Sequence, residues 1–188
     1  MTARLLHLLR HGAPITPDLM MGRTDGAPST EGVAACLDRV RDLTFAAVLS
    51  SDLERARVPA RVIADATGAA LHVDPRWREM DFGLWDGSPS ASIAPHAFAA
   101  FHDDPDAHPP PQGEGWSDLV ARVSAALMDL PHQDVLVVTH GGAIRAALAR
   151  LCGFARRDLW AFDLPYAALL SIRRWPDFDA AQIVGLRT

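Results

Sequence analysis

Two short segments carry the same reactive pattern: Leu9-Arg10-His11-Gly12 near the start and Val138-Thr139-His140-Gly141-Gly142 far downstream. An imidazole serves as a nucleophile or an acid–base group near neutral pH. A guanidinium is a planar, permanently charged fork that fits phosphate or carboxylate oxygens. A further arginine, Arg55, follows Ser50-Ser51-Asp52-Leu53-Glu54. Taken singly, each of these side chains also reads as a packing or surface residue. Together, two arginines and two histidines describe a pocket for a phosphoryl group, provided the fold brings them to one place.

The apolar run Leu5-Leu6-His7-Leu8-Leu9 closes on Gly12 and Pro14, as a buried strand running into a loop does. Gly12 lets the backbone turn away without a side chain in the path. Val135 to Val138 is the clearest buried strand, and it leads into a helical pattern from Ala143 to Leu151. In an open α/β sheet, ligands bind beyond the carboxyl ends of the strands. If these two strands are adjacent and parallel, both histidines arrive at one sheet edge. His140 then also stands at a helix N-terminus, where free backbone donors and the dipole attract anions.

Other elements follow the same alternation. A helix is expected from Ser29 or Thr30, with Val33, Cys36, Leu37, Val40 and Leu43 at helical spacing. Phe45 to Leu49 reads as a strand, and Ser50-Ser51-Asp52 as capping chemistry for the next helix. Pro59 inside that helix predicts a kink or a displaced first turn. Ala70 to Val73 is a third strand, Ser90 to Phe101 and Trp116 to Leu130 are helical, and Leu169 to Arg174 and Gln182 to Leu186 close the sheet. Between them, Arg76 to Gly87 mixes aromatic, acidic and glycine residues, the composition of an ordered functional loop. Asp103 to Gly115 is a proline-rich surface excursion. Alternating strands and helices indicate an α/β fold with a largely parallel sheet, and the excursion is too short to divide residues 1–188 into two domains.

Composition narrows the function. The net charge of −5 argues against general nucleic-acid binding, which wants a basic face. Every basic residue among the 18 Lys+Arg is arginine, which excludes Schiff-base lysine chemistry and a Walker-type phosphate lysine. Cys36 and Cys152 lack the spacing of a metal site or a disulfide framework and read as small core residues. No secretory pattern or membrane-length apolar run is seen, so a cytoplasmic protein with neither membrane nor nucleic acid as partner is expected.

In combination, these segments resemble the histidine phosphatase superfamily, also called phosphoglycerate mutase-like. The resemblance rests on Leu9-Arg10-His11-Gly12, Gly22-Arg23-Thr24-Asp25 and Ser50-Ser51-Asp52-Leu53-Glu54-Arg55-Ala56. It extends over Glu79-Met80-Asp81-Phe82-Gly83-Leu84-Trp85-Asp86-Gly87, Gly113-Glu114-Gly115 and Val138-Thr139-His140-Gly141-Gly142, in the family's order. It implies a single-domain three-layer α/β/α sandwich with a mostly parallel central sheet. By that resemblance His11 is the nucleophile that becomes transiently phosphorylated, and Arg10, Arg55 and His140 hold the phosphoryl oxygens. Glu79 matches the proton donor, and a phosphate dianion beside it would favour its protonated form. His11 must be neutral at the attacking nitrogen, so its other nitrogen should donate to a backbone carbonyl. Neither a cofactor nor a metal is implied. Gly22, Gly141, Trp85 and Trp116 are further candidates for the pocket.

The chain departs from the family pattern at Ala13, Pro14 and Pro17, where Glu-Thr and a phosphate-contacting Asn are usual. A backbone donor around Met21-Gly22 is expected to replace the Asn. Ala27-Pro28-Ser29 stands for Pro-Leu-Thr, and Pro59 for a Thr. The compact length favours hydrolysis over mutase chemistry. The Glu79-to-Trp85 motif, the Gly113-Glu114-Gly115 turn and Leu159-Trp160-Ala161-Phe162 look like the alpha-ribazole phosphatase branch, which removes a 5′-phosphate in cobalamin biosynthesis. The alternatives are a broad phosphatase for sugar phosphates or nucleotides, a phosphoglycerate mutase-like protein, or a phosphoryl-binding module without catalysis. The expected partner is a small phosphorylated metabolite, bound by a monomer or homodimer. His7 is expected to be packed in the first strand, and His72, His96, His102, His108 and His132 to be surface residues.

Overall fold

The computed structural model describes residues 2–175 and 179–188. Six strands form one sheet: β1 (Arg4–Arg10), β2 (Ala47–Ser50), β3 (Ala70–Val73), β4 (Val135–Thr139), β5 (Leu169–Trp175) and β6 (Ala180–Arg187). Their spatial order is β3-β2-β4-β1-β5-β6. The β2/β3, β2/β4 and β1/β4 pairs are parallel, whereas β5 and β6 add an antiparallel edge. The five main helices are α1 (Thr30–Val40), α2 (Glu54–Thr67), α3 (Pro95–Asp103), α4 (Trp116–Met128) and α5 (Gly141–Cys152).

Period-two alternation along the strands splits the core into two layers. Leu9, Val48, Leu136 and Val138 point to the face covered by Cys36 and Val40 of α1 and by Ala56, Ala60 and Ile63 of α2. Leu6, Leu8, Leu49, Val135 and Val137 point to the other face, against Leu119 and Val123 of α4 and Ile144 and Leu148 of α5. The result is the three-layer α/β/α arrangement. The helix after β1 and the helix after β4 lie on opposite faces of two neighbouring parallel strands. That reversal opens a crevice at their carboxyl ends, the general ligand position in such sheets.

Register places the chemistry. Arg10 pairs with Thr139, so His11 and His140 both follow the last paired residues of adjacent strands. The main chain of His11 is pinned on both sides: its N–H donates to the Thr139 carbonyl at 2.8 Å, and its own carbonyl accepts from Ala167 N–H at 3.1 Å.

Several local expectations need correction. Ser50-Ser51-Asp52 does not cap α2: the N-cap is Leu53, and Ser51 Oγ accepts from Leu53 N–H instead. The first turn is completed from a distance, by Asp25 Oδ1 accepting from Glu54 N–H at 2.6 Å. Pro59 neither displaces the start of α2 nor interrupts it: the helix runs from Glu54 to Thr67 with Pro59 buried within it. Pro59 has no N–H to give to the Arg55 carbonyl one turn earlier. The segment from Ser90 to Phe101 divides into a short 3-10 turn, Ser90–Ser92, and α3. By contrast, Ser29 caps α1 as expected, its Oγ accepting from Gly32 N–H at 3.0 Å. Among the described residues, no helix is long and apolar enough to cross a membrane.

Candidate active site

His11 is held in one tautomer. Its Nδ1 lies 2.8 Å from the Gly12 carbonyl, which can only accept, so Nδ1 carries the proton and Nε2 keeps a free lone pair. Burial and the Arg55 guanidinium push the imidazole pKa down to about 3, while the Gly12 carbonyl pulls the other way. Both effects keep Nε2 unprotonated in the free protein. His140 is the N-cap residue of α5, but its ring does not cap the helix. The two rings meet edge-to-face with centroids 5.1 Å apart. Burial, then Arg55 and His11, hold the His140 pKa well below the ordinary histidine value. Arg55 and His140 are fully buried, whereas His11 retains 6% exposure.

The hydrogen-bond inventory shows where an anion would be welcome. Among the described residues, buried polar atoms without a partner include Arg10 Nε, Arg55 Nε, both ring nitrogens of His140 and Arg145 Nε. Native interiors rarely leave such atoms unpaired, and their clustering marks a site that awaits a ligand. Arg55 spends its other donors on the loop after β1: Nη1 donates to the Thr24 carbonyl and Nη2 to those of Met21 and Gly22, all at 2.7–2.8 Å. Arg10 donates to the Leu164 carbonyl and stacks over Tyr166, its guanidinium carbon 4.4 Å from the ring centre.

Of the backbone donors expected around Met21-Gly22, that of Gly22 is engaged. Gly22, Arg23 and Thr24 N–H all donate to the Asp86 carboxylate. The loop is thus gripped by Arg55 through its carbonyls and by Asp86 through its amides.

Glu79 reaches the same crevice from the Arg76–Gly87 segment. Thr139 Oγ1 anchors that segment by donating to the Trp77 carbonyl at 2.6 Å. Glu79 Oε1 accepts from Met80 N–H at 2.8 Å and Oε2 from Gly142 N–H at 3.0 Å, in the first turn of α5. A methyl group on Gly142 would stand 2.0 Å from Glu79 Oε1, so glycine is what lets the carboxyl approach.

A cavity of about 430 Å³ begins at Arg10, Glu79 and the Gly141-Gly142 turn. It extends over Met20, Phe82, Phe98, Phe101, Trp116 and Trp160, an apolar and largely aromatic wall. Of the further pocket candidates, Gly141 and Trp116 line it. Gly22 and Trp85 do not: Gly22 lies under Arg55, and Trp85 packs behind the wall, edge-on to Phe101 at 5.6 Å. His102 is exposed, as expected of a surface residue, and it also lines the cavity, its ring meeting Phe98 at 4.5 Å. His7 is buried and pairs through Nδ1 with Ser171 Oγ at 2.8 Å.

Sequence reasoning missed Arg145 and Tyr166. Arg145 stacks over Trp160 at 4.4 Å and lines the cavity. Its place one turn into the helix that starts at His140 was a usable signal. Tyr166, the only tyrosine in the chain, lies 5.5 Å from the His11 ring between centroids, and no motif pointed to it. Among the described residues no group of three or more His, Cys, Asp or Glu is arranged to hold a metal ion.

Comparison with known proteins agrees with this geometry. The family described as histidine phosphatase superfamily (branch 1) matches residues 6–184, and the chain belongs to it. A relative from Erwinia tasmaniensis, named "Probable phosphoglycerate mutase GpmB", is 31% identical over 160 residues, covering 79% of this chain and 74% of the relative. The solved structure of alpha-ribazole phosphatase from Shigella flexneri superposes with a TM-score of 0.85 at 25% identity, covering 98% of this chain and 96% of that one. A mycobacterial glucosyl-3-phosphoglycerate phosphatase gives a TM-score of 0.84 at 27% identity, covering 97% and 98%. The chain is therefore a phosphatase-type member of this superfamily.

Proposed function

We propose that the protein hydrolyses phosphate monoesters through a phosphohistidine on His11, without a metal ion. The observation that carries the reading is the free Nε2 of His11, fixed by the Gly12 carbonyl, with unpartnered nitrogens on Arg10, Arg55 and His140 around the same ring. The substrate's phosphoryl oxygens satisfy those nitrogens. Nε2 attacks phosphorus, the P–O bond to the leaving group breaks, and Glu79 gives its proton to the departing oxygen. A water molecule then attacks the phosphohistidine, the N–P bond breaks back onto Nε2, and Glu79 takes the proton from that water. Charge spreads over the oxygens in each transition state, and the two arginines stabilise it there.

The leaving group occupies the aromatic cavity. Its wall of Phe98, Phe101, Trp116 and Trp160 favours a flat, largely apolar group, such as the base of alpha-ribazole 5′-phosphate. A broad action on sugar phosphates and nucleotides is the second reading, favoured by Arg145, whose Nε has no partner and suits an oxygen-rich leaving group.

The test is turnover of p-nitrophenyl phosphate with chelator present, beside His11→Ala. Chelator-resistant turnover that drops at least 10³-fold in the variant is expected, in line with the loss of a nucleophile. Near-wild-type turnover by His11→Ala removes the proposal. A panel containing alpha-ribazole 5′-phosphate, a hexose phosphate and a nucleoside monophosphate then ranks the leaving groups by kcat/KM.

A further inference from the structure

Neither the Gly113-Glu114-Gly115 turn nor Arg122 of α4 lines the cavity, and the phosphoryl chemistry does not use them. Yet they form a dense polar cluster. The Arg122 guanidinium has five donors, and all are spent. Nη1 donates to the carbonyls of Arg76 and Arg78, each at 2.8 Å. Nη2 donates to the Glu79 carbonyl at 2.8 Å and to Glu114 Oε2 at 2.8 Å, and Nε donates to Glu114 Oε1 at 2.7 Å. Glu114 continues the grip: its Oε2 accepts from Asp81 N–H at 3.1 Å, while its own N–H donates to the Asp81 carbonyl at 2.9 Å. The ion pair is largely withdrawn from water, with side-chain exposures of 18% for Arg122 and 11% for Glu114.

An ion pair withdrawn this far from water is weak evidence for stability, because desolvation consumes much of its attraction. Its contacts point to another role. Every main-chain group it holds belongs to residues 76–81, the segment that carries Glu79. The pair fixes the chain before Glu79, at Glu79 and two residues after it. The pair does not bond the Glu79 carboxyl itself, which among the described residues accepts from Met80 N–H and Gly142 N–H. Proton transfer to a leaving oxygen tolerates little misplacement, and an error of about 1 Å can cost 10²-fold.

We infer that Glu114 and Arg122 are positioning residues that set where the Glu79 carboxyl meets the leaving-group oxygen. The inference rests on Glu79 acting as proton donor, and the experiment separates the two. The value of kcat/KM reports steps up to departure of the leaving group, so hydrolysis of the shared phosphohistidine does not enter. It is measured for p-nitrophenyl phosphate, whose leaving group needs little protonation, and for a simple alkyl phosphate, whose leaving group needs much. The proteins are wild type, Glu79→Gln, Glu114→Gln and Arg122→Lys.

Glu79→Gln is expected to slow the alkyl ester tenfold or more beyond its effect on the aryl ester. Glu114→Gln and Arg122→Lys are expected to shift the ratio in the same sense, by tenfold or more. Combined with Glu79→Gln they shift it no further, because the group they position is already gone. A role in stability alone predicts equal losses on both esters, or none; with Glu79→Gln still discriminating, that result overturns the positioning role by itself. If Glu79→Gln does not discriminate, Glu79 is not the donor and the positioning role falls with it. Circular dichroism checks each variant. Should one fail to fold, Gly113→Ala gives the same readout. Its methyl would stand 2.5 Å from the Asp81 carbonyl, displacing the turn that carries Glu114 while both ion-pair side chains keep their chemistry.

Discussion

His11 and His140 are bases whose folded-state pKa values lie below the ordinary 6.5, at about 3 for His11 and well below 6.5 for His140. In that interval the unfolded chain takes up protons that the folded chain refuses. Stability is therefore full above about pH 6.5 and declines as pH falls toward the folded-state values, by up to about 1.4 kcal/mol per pH unit for each such histidine. Urea unfolding midpoints are expected to drop between pH 7 and pH 5. The drop should be shallower in His11→Gln, which removes one of the two contributions. A pH-independent midpoint over this range would contradict the neutral, buried state of both rings. The same effect leaves His11 Nε2 unprotonated well below pH 6.5 in the free protein.

The loop between β1 and α1 shows how an element is shaped by partners that leave no trace in its own sequence. Asp86 accepts from Gly22, Arg23 and Thr24 N–H, and Arg55 donates to the carbonyls of Met21, Gly22 and Thr24. Asp86→Ala removes one side of this grip. A stability loss of about 1–3 kcal/mol is expected, typical of leaving polar groups without their partner. Amide hydrogen exchange at Gly22, Arg23 and Thr24 should accelerate, with slower turnover because Arg55 loses its frame. Unchanged exchange at these amides would contradict the assigned role.

Strand positions, the α1 cap at Ser29 and the meeting of His11 with His140 were legible because hydrophobic alternation and matching strand ends are local patterns. The anchoring of α2 by Asp25 was not legible, since it spans 29 residues and resembles no cap motif. Nor was the present engagement of Arg55 with three carbonyls, because main-chain acceptors look alike at every residue. Glu79 came from resemblance alone; its support from Gly142 N–H is a feature only the fold reveals.

At the scale of the molecule, both core layers hang on the four central strands. Leu136 is fully buried on the face that packs against α1 and α2. Leu136→Ala should cost about 2–5 kcal/mol, the usual range when a core leucine becomes a cavity. Chemical denaturation would measure it. A loss much below that range would mean that the layer collapses to fill the gap. The accompanying fall in phosphatase activity at 25 °C should be small, because β4 keeps its ladder to β1 and with it the separation of the two histidines.

The central place of β1 has a consequence for how the protein is made. Its neighbours are β4 and β5, so Leu6 pairs with Val135 on one side and with Ile172 on the other. As the chain is synthesised, this apolar strand precedes both of its partners, β4 and β5, and waits for them. Until then it presents two open edges, the condition that invites aggregation and chaperone capture. His11 is made before His140 and Tyr166, so its surroundings are completed only once the later strands are in place.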